Sequence, residues 1–391
     1  MGERAGSPQL LRQINDRVAL LALLERGPLT RLELESHIGL SKPATADLLL
    51  RLEKSGHVRR AGFREGGKGP RAQLWSVNGA QAYVAAVDLT PQTLDVAVSD
   101  ICGEIVAEYR YHAEKNASLG VEDLRQSVAL AAGEVGLATG ELRRVVVGLP
   151  GSVDRRTGLL GFAPHLPGWQ GFDVLERLAG SLATSVTVEN DVNLVALDEM
   201  AVGRAVGLDD FVLIWIGRGT GAAVVSEGRL LRGASGGAGE IDWMPCPAPR
   251  ATGGQAVTHR QRVGDVLSSN ALTELARTHG LAGDELDKLL AGDLGADPAA
   301  CAAFRRDVAG RVALAVAGVV SVVDPELVVL AGDVGRAGGS ALCGLVADEL
   351  ADLVLPRPDI QPSLVTGNPV RSGALRLALA QAREEVFAIP S

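Results

Sequence analysis

Apolar residues at Leu10, Leu11, Ile14, Val18, Leu21 and Leu24 recur at helical spacing, so the pattern predicts an amphipathic helix over Pro8–Arg26. Thr30-Arg31-Leu32-Glu33 fits a capping box and opens a second helix running to about His37. Gly39 supplies a turn, and Ser41 caps a third helix that ends near Gly56. Thr45, Leu48, Leu49 and Leu52 share the face of that helix expected to bury. Val58–Val77 splits into two strand-like pieces around a glycine-rich basic tip. The segment reads as a helix-turn-helix followed by a wing, with a junction at Asn78-Gly79-Ala80.

Beyond the junction the period changes. Ala82–Asp88, Thr93–Val98 and Ile105–His112 read as a meander of three strands. Leu119–Val135 reads as a helix, and Val145–Leu149 and Val186–Glu189 as buried strands. A second cycle follows, with strands at Phe211–Ile216, Ala222–Ser226 and Arg229–Arg232. A long helix at Val308–Val323 and a buried strand at Leu327–Leu330 complete it. Two similar halves imply a duplicated α/β fold with a cleft between two lobes. The expected division is residues 1–78 for the head and 79–391 for the body. Lobe one covers about 79–190 plus a C-terminal helix at 371–388, and lobe two about 191–370.

Composition adds a charge asymmetry. Residues 1–78 carry 13 Lys/Arg against 8 Asp/Glu, whereas the rest carry 25 against 39. A basic head on an acidic body points to a polyanionic partner for the head. Ser41, Lys42, Pro43, Ala46 and Asp47 lie on the third helix's open face and are expected to enter a major groove. Arg64, Lys68 and Arg71 on the wing suit phosphate or minor-groove contact. No apolar run approaches the ~20 residues of a membrane span, so no membrane role is expected and the cytoplasm is the default. Cys102, Cys246, Cys301 and Cys343 are scattered without CxxC spacing, which indicates neither a disulfide framework nor a metal cluster.

The chemistry gathers at three strand ends. The row carries Pro150-Gly151-Ser152-Val153-Asp154, then Ala163-Pro164-His165-Leu166 with Trp169. Glu189-Asn190-Asp191, Gly219-Thr220-Gly221 and Gly239-Glu240 follow in that order. Together they resemble the ROK family of sugar kinases and sugar-responsive repressors, and the likeness covers essentially the whole chain. It implies an actin-like, hexokinase-like ATPase fold, here in the transcriptional-regulator branch with an N-terminal winged helix-turn-helix. It implies that Asp191 stands where the kinases hold their general base. Asn190 and Glu240 stand where sugar hydroxyls are bound, and Gly151 and His165 join them as ligand-binding candidates.

The departures from that pattern are as informative. The kinases' first phosphate loop follows Asp-x-Gly-Gly-Thr, but this chain reads Asp88-Leu89-Thr90-Pro91-Gln92. The second loop lacks its last glycine, reading Gly219-Thr220-Gly221-Ala222-Ala223. The family's zinc cluster is reduced to Cys246, with Trp243 at the histidine position and Asp242 where a glycine precedes it. One thiolate does not make a tetrahedral site. The expectation is therefore a regulator of carbohydrate or amino-sugar genes with no cofactor and no metal. It binds a double-stranded operator as a homodimer or dimer of dimers and answers to a sugar or sugar phosphate. The alternatives are a sugar kinase with a fused DNA-binding head, and a regulator that no longer senses a small molecule.

Overall fold

The computed structural model describes residues 8–64, 71–114, 117–154, 156–161, 163, 165–246, 261–282, 285–292 and 297–387. The chain opens with α1 (Pro8–Arg26), β1 (Leu29–Thr30), α2 (Arg31–Ile38), α3 (Lys42–Lys54), β2 (Val58–Phe63) and β3 (Gln73–Val77). The strands form one antiparallel sheet in the order β1-β3-β2. The capping box forms as its spacing requires: Glu33 donates its amide to Thr30 Oγ1 at 3.3 Å and accepts the Thr30 amide at 2.8 Å. Thr45, Leu48, Leu49 and Leu52 are all buried on α3. Strand β1 escapes the pattern because two residues are too few to show alternation.

Helix α1 has the predicted ends, but the stripe that marks it as amphipathic faces outward. Leu10, Leu11, Ile14, Val18 and Leu21 are exposed, and the buried face carries Ala19, Leu20 and Leu23. The helix has two apolar faces, and only the shorter one joins the core.

The body begins with β4 (Tyr83–Leu89), β5 (Thr93–Asp100), β6 (Ile105–His112), α4 (Val121–Gly133) and β7 (Arg144–Leu149). The short pair β8 (Ser152–Val153) and β9 (Leu160–Gly161) follows, then α5 (Val174–Leu182) and β10 (Val186–Asn190). The second cycle holds α6 (Asp191–Val202), β11 (Phe211–Ile216), β12 (Thr220–Ser226) and β13 (Arg229–Leu230). Next come α7 (Val263–Leu267), α8 (Ser269–Thr278), α9 (Leu286–Ala291) and α10 (Pro298–Val323). It closes with β14 (Leu327–Ala331), α11 (Gly332–Ala351), β15 (Asp359–Pro362) and α12 (Pro369–Val386). Helix α10 starts earlier than its apolar stretch suggests because Asp297 caps it, its side chain accepting the Ala299 amide.

The two body sheets run β10-β7-β4-β5-β6 and β13-β12-β11-β14-β15. Counted by order of appearance, each sheet places its strands third, second, first, fourth, fifth. Each begins as an antiparallel meander and adds its last two strands in parallel. The duplication read from the sequence is thus present in the topology. The central parallel strands β7 (RVVVGL) and β14 (LVVLA) are apolar nearly throughout, since helices cover both faces.

Helix α6 packs on sheet two through Val192, Val195 and Ala196 against Phe211 and Leu213. Helix α12 packs on sheet one through Ala374 and Ala378 against Val84, Ala86 and Val146. The two helices are tied by an ion pair, Arg376 Nε to Asp198 Oδ1 at 2.6 Å. The core beneath α12 is continuous with that of the head, so Phe387 and the head's Leu48, Leu49 and Val77 belong to one cluster. Among the described residues no helix is long and apolar enough to cross a membrane.

Candidate functional site

Strand β10 delivers Glu189 and Asn190 to the start of α6, where a helix N-terminus leaves amides to be satisfied. Asn190 caps the helix, its Oδ1 accepting the Asn193 amide at 3.1 Å. Its Nδ2 donates to the carbonyl of Gly151 at 3.0 Å. Gly151 has φ 100°, and a Cβ there would lie 2.6 Å from the Gly161 carbonyl, so the close approach of this turn to β9 needs glycine. Asp191 Oδ1 accepts its neighbour Val192's amide at 2.8 Å. The structure thus brings three of the ligand candidates read from the sequence, Gly151, Asn190 and Asp191, beside one another.

Glu240 arrives from lobe two. Gly239 before it has φ 90°, and a Cβ would stand 2.0 Å from the Ala222 carbonyl, so this loop lies flat on β12. Burial pushes the Glu240 carboxyl up to about 7, with the charge of Asp242 adding to it. Burial likewise pushes Asp191 up to about 7, opposed by the Val192 amide and reinforced by the charges of Asp88 and Glu240. Asp88, at the end of β4, is pushed up to about 6 by burial, although Asn368 Nδ2 donates to it at 2.9 Å. Asp191 therefore feels the charges of both Asp88 and Glu240. Partly desolvated carboxyls suit acceptance of ligand hydroxyl protons. His165 is exposed on its loop and makes no described contact with this group.

The phosphate loops are filled from within. At the first, Thr90 Oγ1 accepts the amides of Gln92 at 3.3 Å and Thr93 at 2.9 Å. Thr90's own amide donates to the Thr93 carbonyl, and Pro91 has no amide to give. The turn consumes every donor that could cradle a phosphate. At the second, Asp242 Oδ1 accepts the Thr220 amide at 3.2 Å, and Gly217 donates its amide to the Gly219 carbonyl. A carboxylate sits where an anion would bind. At both turns, amides are thus taken by the protein's own oxygen atoms.

Nor do the residues fit the family's zinc. Trp243 lies under the Arg262 guanidinium, 3.6 Å from ring centroid to Cζ. Cys246 is buried, and burial pushes its thiol up. Residues 247–260 lie outside the described part. Among the described residues no group of three or more His, Cys, Asp or Glu is placed to hold a metal.

Two features of the site were not legible beforehand. Glu189, buried, accepts Arg232 Nε at 2.6 Å and Asn193 Nδ2 at 2.9 Å. Arg232 follows β13, and Gly236 of the same loop would bring a Cβ within 2.9 Å of the Val153 carbonyl, so this loop is latched onto β8 and β10. Beside this latch a cavity of about 180 Å³ runs along the open edge of β10, lined by Ser152, Thr187, Glu189, Arg232 and Gln381. The second feature is Asp95, buried on β5 next to Asp88. It binds Arg371 Nη1 at 2.6 Å, Arg110 Nε at 3.0 Å and Asn368 Nδ2 at 3.3 Å. Its partners lie 15 to 276 residues away in sequence, beyond any local signal.

In the head, Ser41, Lys42, Pro43 and Asp47 are exposed on the open face of α3, and Ala46 is half-buried there. Arg64 is engaged inside the head: its Nη2 lies 2.5 Å from Glu33, whose carboxyl is held down to about 2 by the Thr30 amide and Arg64. Both side chains of that pair are largely exposed, so Arg64 remains on the surface of the wing. Arg71 is exposed, while Lys68 falls outside the described residues. Arg59 and Arg60 on β2 were not singled out from the sequence; Arg59 is exposed, and Arg60 stacks on Trp75 and pairs with Glu53.

Both repressors and sugar kinases are similar to this chain. The chain is 27% identical over 246 residues to a xylose repressor of Caldicellulosiruptor bescii, covering 60% of this chain and 59% of that protein. The match therefore spans less than two thirds of the repressor's length. It is 29% identical over 285 residues to a glucokinase of Thermotoga maritima, covering 69% of this chain and 87% of the kinase. A solved ROK family transcriptional regulator, described as a homologue of the E. coli MLC protein, superposes with TM-score 0.70 at 19% identity over 97% of this chain and 99% of its own. A ROK hexokinase from Thermus thermophilus superposes with TM-score 0.62 at 24% identity over 77% of this chain and 99% of its own. The model of the ROK family matches residues 84–371, and the chain belongs to that family, with its mixed α/β, actin-like and hexokinase-like fold.

Proposed function

We propose that the chain is a DNA-binding transcriptional regulator, a repressor of carbohydrate or amino-sugar genes, whose cleft binds a sugar and not ATP. The observation that carries this reading is the pair of phosphate loops closed by the protein's own groups, Thr90 at one and Asp242 at the other. The helices and sheet of residues 8–77 form a winged helix-turn-helix in this reading, with α3 entering a major groove. The division falls at 78/79. Two copies, as a homodimer or a dimer of dimers, engage a two-fold operator. The regulator supports this, since it superposes over 97% of the chain against 77% for the hexokinase.

The sugar sits against Asn190, Asp191 and Glu240, with Gly151 forming the backbone floor. It acts only by preferring one arrangement of the lobes over the other. Helix α12 carries the difference. Asn368 at its start holds Asp88, and Val386 at its end meets His57 of the head.

A second reading, a sugar kinase with a fused head, draws on one observation: Asp191 near 7 has the value a general base wants. A coupled assay with ATP and a panel of sugars separates the two. Phosphorylation that disappears in Asp191→Asn sinks the regulator-only reading. The regulator is tested by footprinting the full chain on genomic DNA with and without the same sugars; absence of any protected site removes it. If protection appears but no sugar changes it, the cleft has lost sensing.

A further inference from the structure

Helix α1 carries two apolar faces, and the structure uses one. Ala19, Leu20 and Leu23 are at most 3% exposed and join the head's core. Leu11, Ile14, Val18 and Leu21 are 56%, 39%, 42% and 37% exposed. On a helical wheel these four fall within an arc about 80° wide, roughly opposite the buried three. Their spacing is three, four, three, the period of a coiled-coil seam. Asp16 lies on the opposite, core-facing side of the helix, where it pairs with Arg51 of α3.

We infer that this stripe docks on the same stripe of a second copy, so that α1 pairs with α1 across a two-fold axis. A seam of this period is complementary to another seam of the same period, and a second copy presents one by symmetry. The residues that precede α1, MGERAGS, hold a single large apolar side chain and do not supply a matching seam. Eleven residues of helix span ~16 Å and are ~10 Å across, so the stripe offers ~160 Å². A stable interface needs ~800 Å² per partner. The contact therefore orients two heads within a dimer held elsewhere, and does not hold the dimer alone. This deepens the two-copy reading above and rests on it only for the presence of a second copy.

The test is cross-linking of the full chain without DNA. Cys102 is the exposed cysteine and is replaced by serine, while Cys246, Cys301 and Cys343 are buried. Val18→Cys in this background should form a disulfide-linked dimer at least about tenfold faster than exposed Lys54→Cys under the same oxidant, because exchange needs the two sulfurs together. Adding Ile14→Glu should return the rate to that of the Lys54→Cys control. Equal rates for Val18→Cys and Lys54→Cys overturn the inference. So does a Val18→Cys thiol that resists a small maleimide in dilute monomeric protein, since the chain itself would then cover the stripe. Duplex binding is measured separately on the uncross-linked chain. Its failure would count against the regulator and leave the α1 result standing.

Discussion

His57 of the head lies with Nε2 3.3 Å from the carbonyl oxygen of Val386, the last residue of α12. Its ring also faces Phe387, with centroids 6.4 Å apart. At the other end of the same helix Asn368 holds both Asp88 and Asp95. A helix of this length spans about 27 Å. One rigid element thus touches the carboxyl cluster of the cleft at its start and the head at its end. A change in the cleft that shifts the start of α12 has a mechanical route to the position of α3.

Phe387→Ala follows as the first prediction. The ring is buried where the head's core meets α12, and its loss should cost about 3 kcal/mol locally. Hydrogen exchange should show faster exchange in α3 and β2, with protection in β11 and β14 unchanged. A uniform rise across the chain, or none, would show that the head does not depend on this junction.

The second prediction concerns pH. Asp191 titrates at about 7 in the folded chain against an ordinary 3.8, and Glu240 at about 7 against 4.5. Between about pH 4 and 7 the folded state therefore binds more protons than the unfolded one, and stability falls as pH rises through that window. Asp191→Asn stays neutral throughout. It should exceed the wild type in stability by about 1–2 kcal/mol at pH 8, after allowing for solvent screening, and by little at pH 4. Denaturant melts at the two pH values measure this; equal gains at both would refute the assignment.

Nucleotide exclusion gives the third. Wild-type chain should show no shift in melting temperature with millimolar Mg·ATP. Thr90→Gly, Pro91→Gly and Asp242→Gly together release the amides that Thr90 and Asp242 occupy. If affinity reaches a tenth of the ligand concentration, the triple variant gains about 1.4 kcal/mol from ligand. A wild-type shift as large as the variant's would mean that the loops are not closed.

The fold and the site differ in how far sequence discloses them. The α2 cap, the buried face of α3 and the two strand cycles follow from local periods and turn residues, and the structure reproduces each within a few residues. The apolar stripe of α1 was equally visible, but a period cannot say which of two apolar faces turns inward. The missing loop glycines are visible in the sequence. That Asp242 lies on the Thr220 amide is not, since the two residues lie 22 apart and meet only through the flat loop at Gly239. The Glu189–Arg232 latch and the Asp95–Arg371 pair are long-range ion pairs, and no local pattern encodes them.

The last prediction addresses the head. Lys42 and Arg71 are exposed, one at the first position of α3 and one just before β3. Each is placed to neutralise one phosphate if α3 lies in the groove. Each alanine substitution should therefore weaken binding about equally on all duplexes and reduce the slope of log K against log salt by about 1. Arg64→Ala should behave differently. Its guanidinium pairs with Glu33, so it should alter head stability more than the salt slope. Fluorescence anisotropy with a labelled genomic fragment over a salt series reads all three. A slope that is unchanged in Lys42→Ala and Arg71→Ala but falls in Arg64→Ala would place the nucleic acid on a different face of the head.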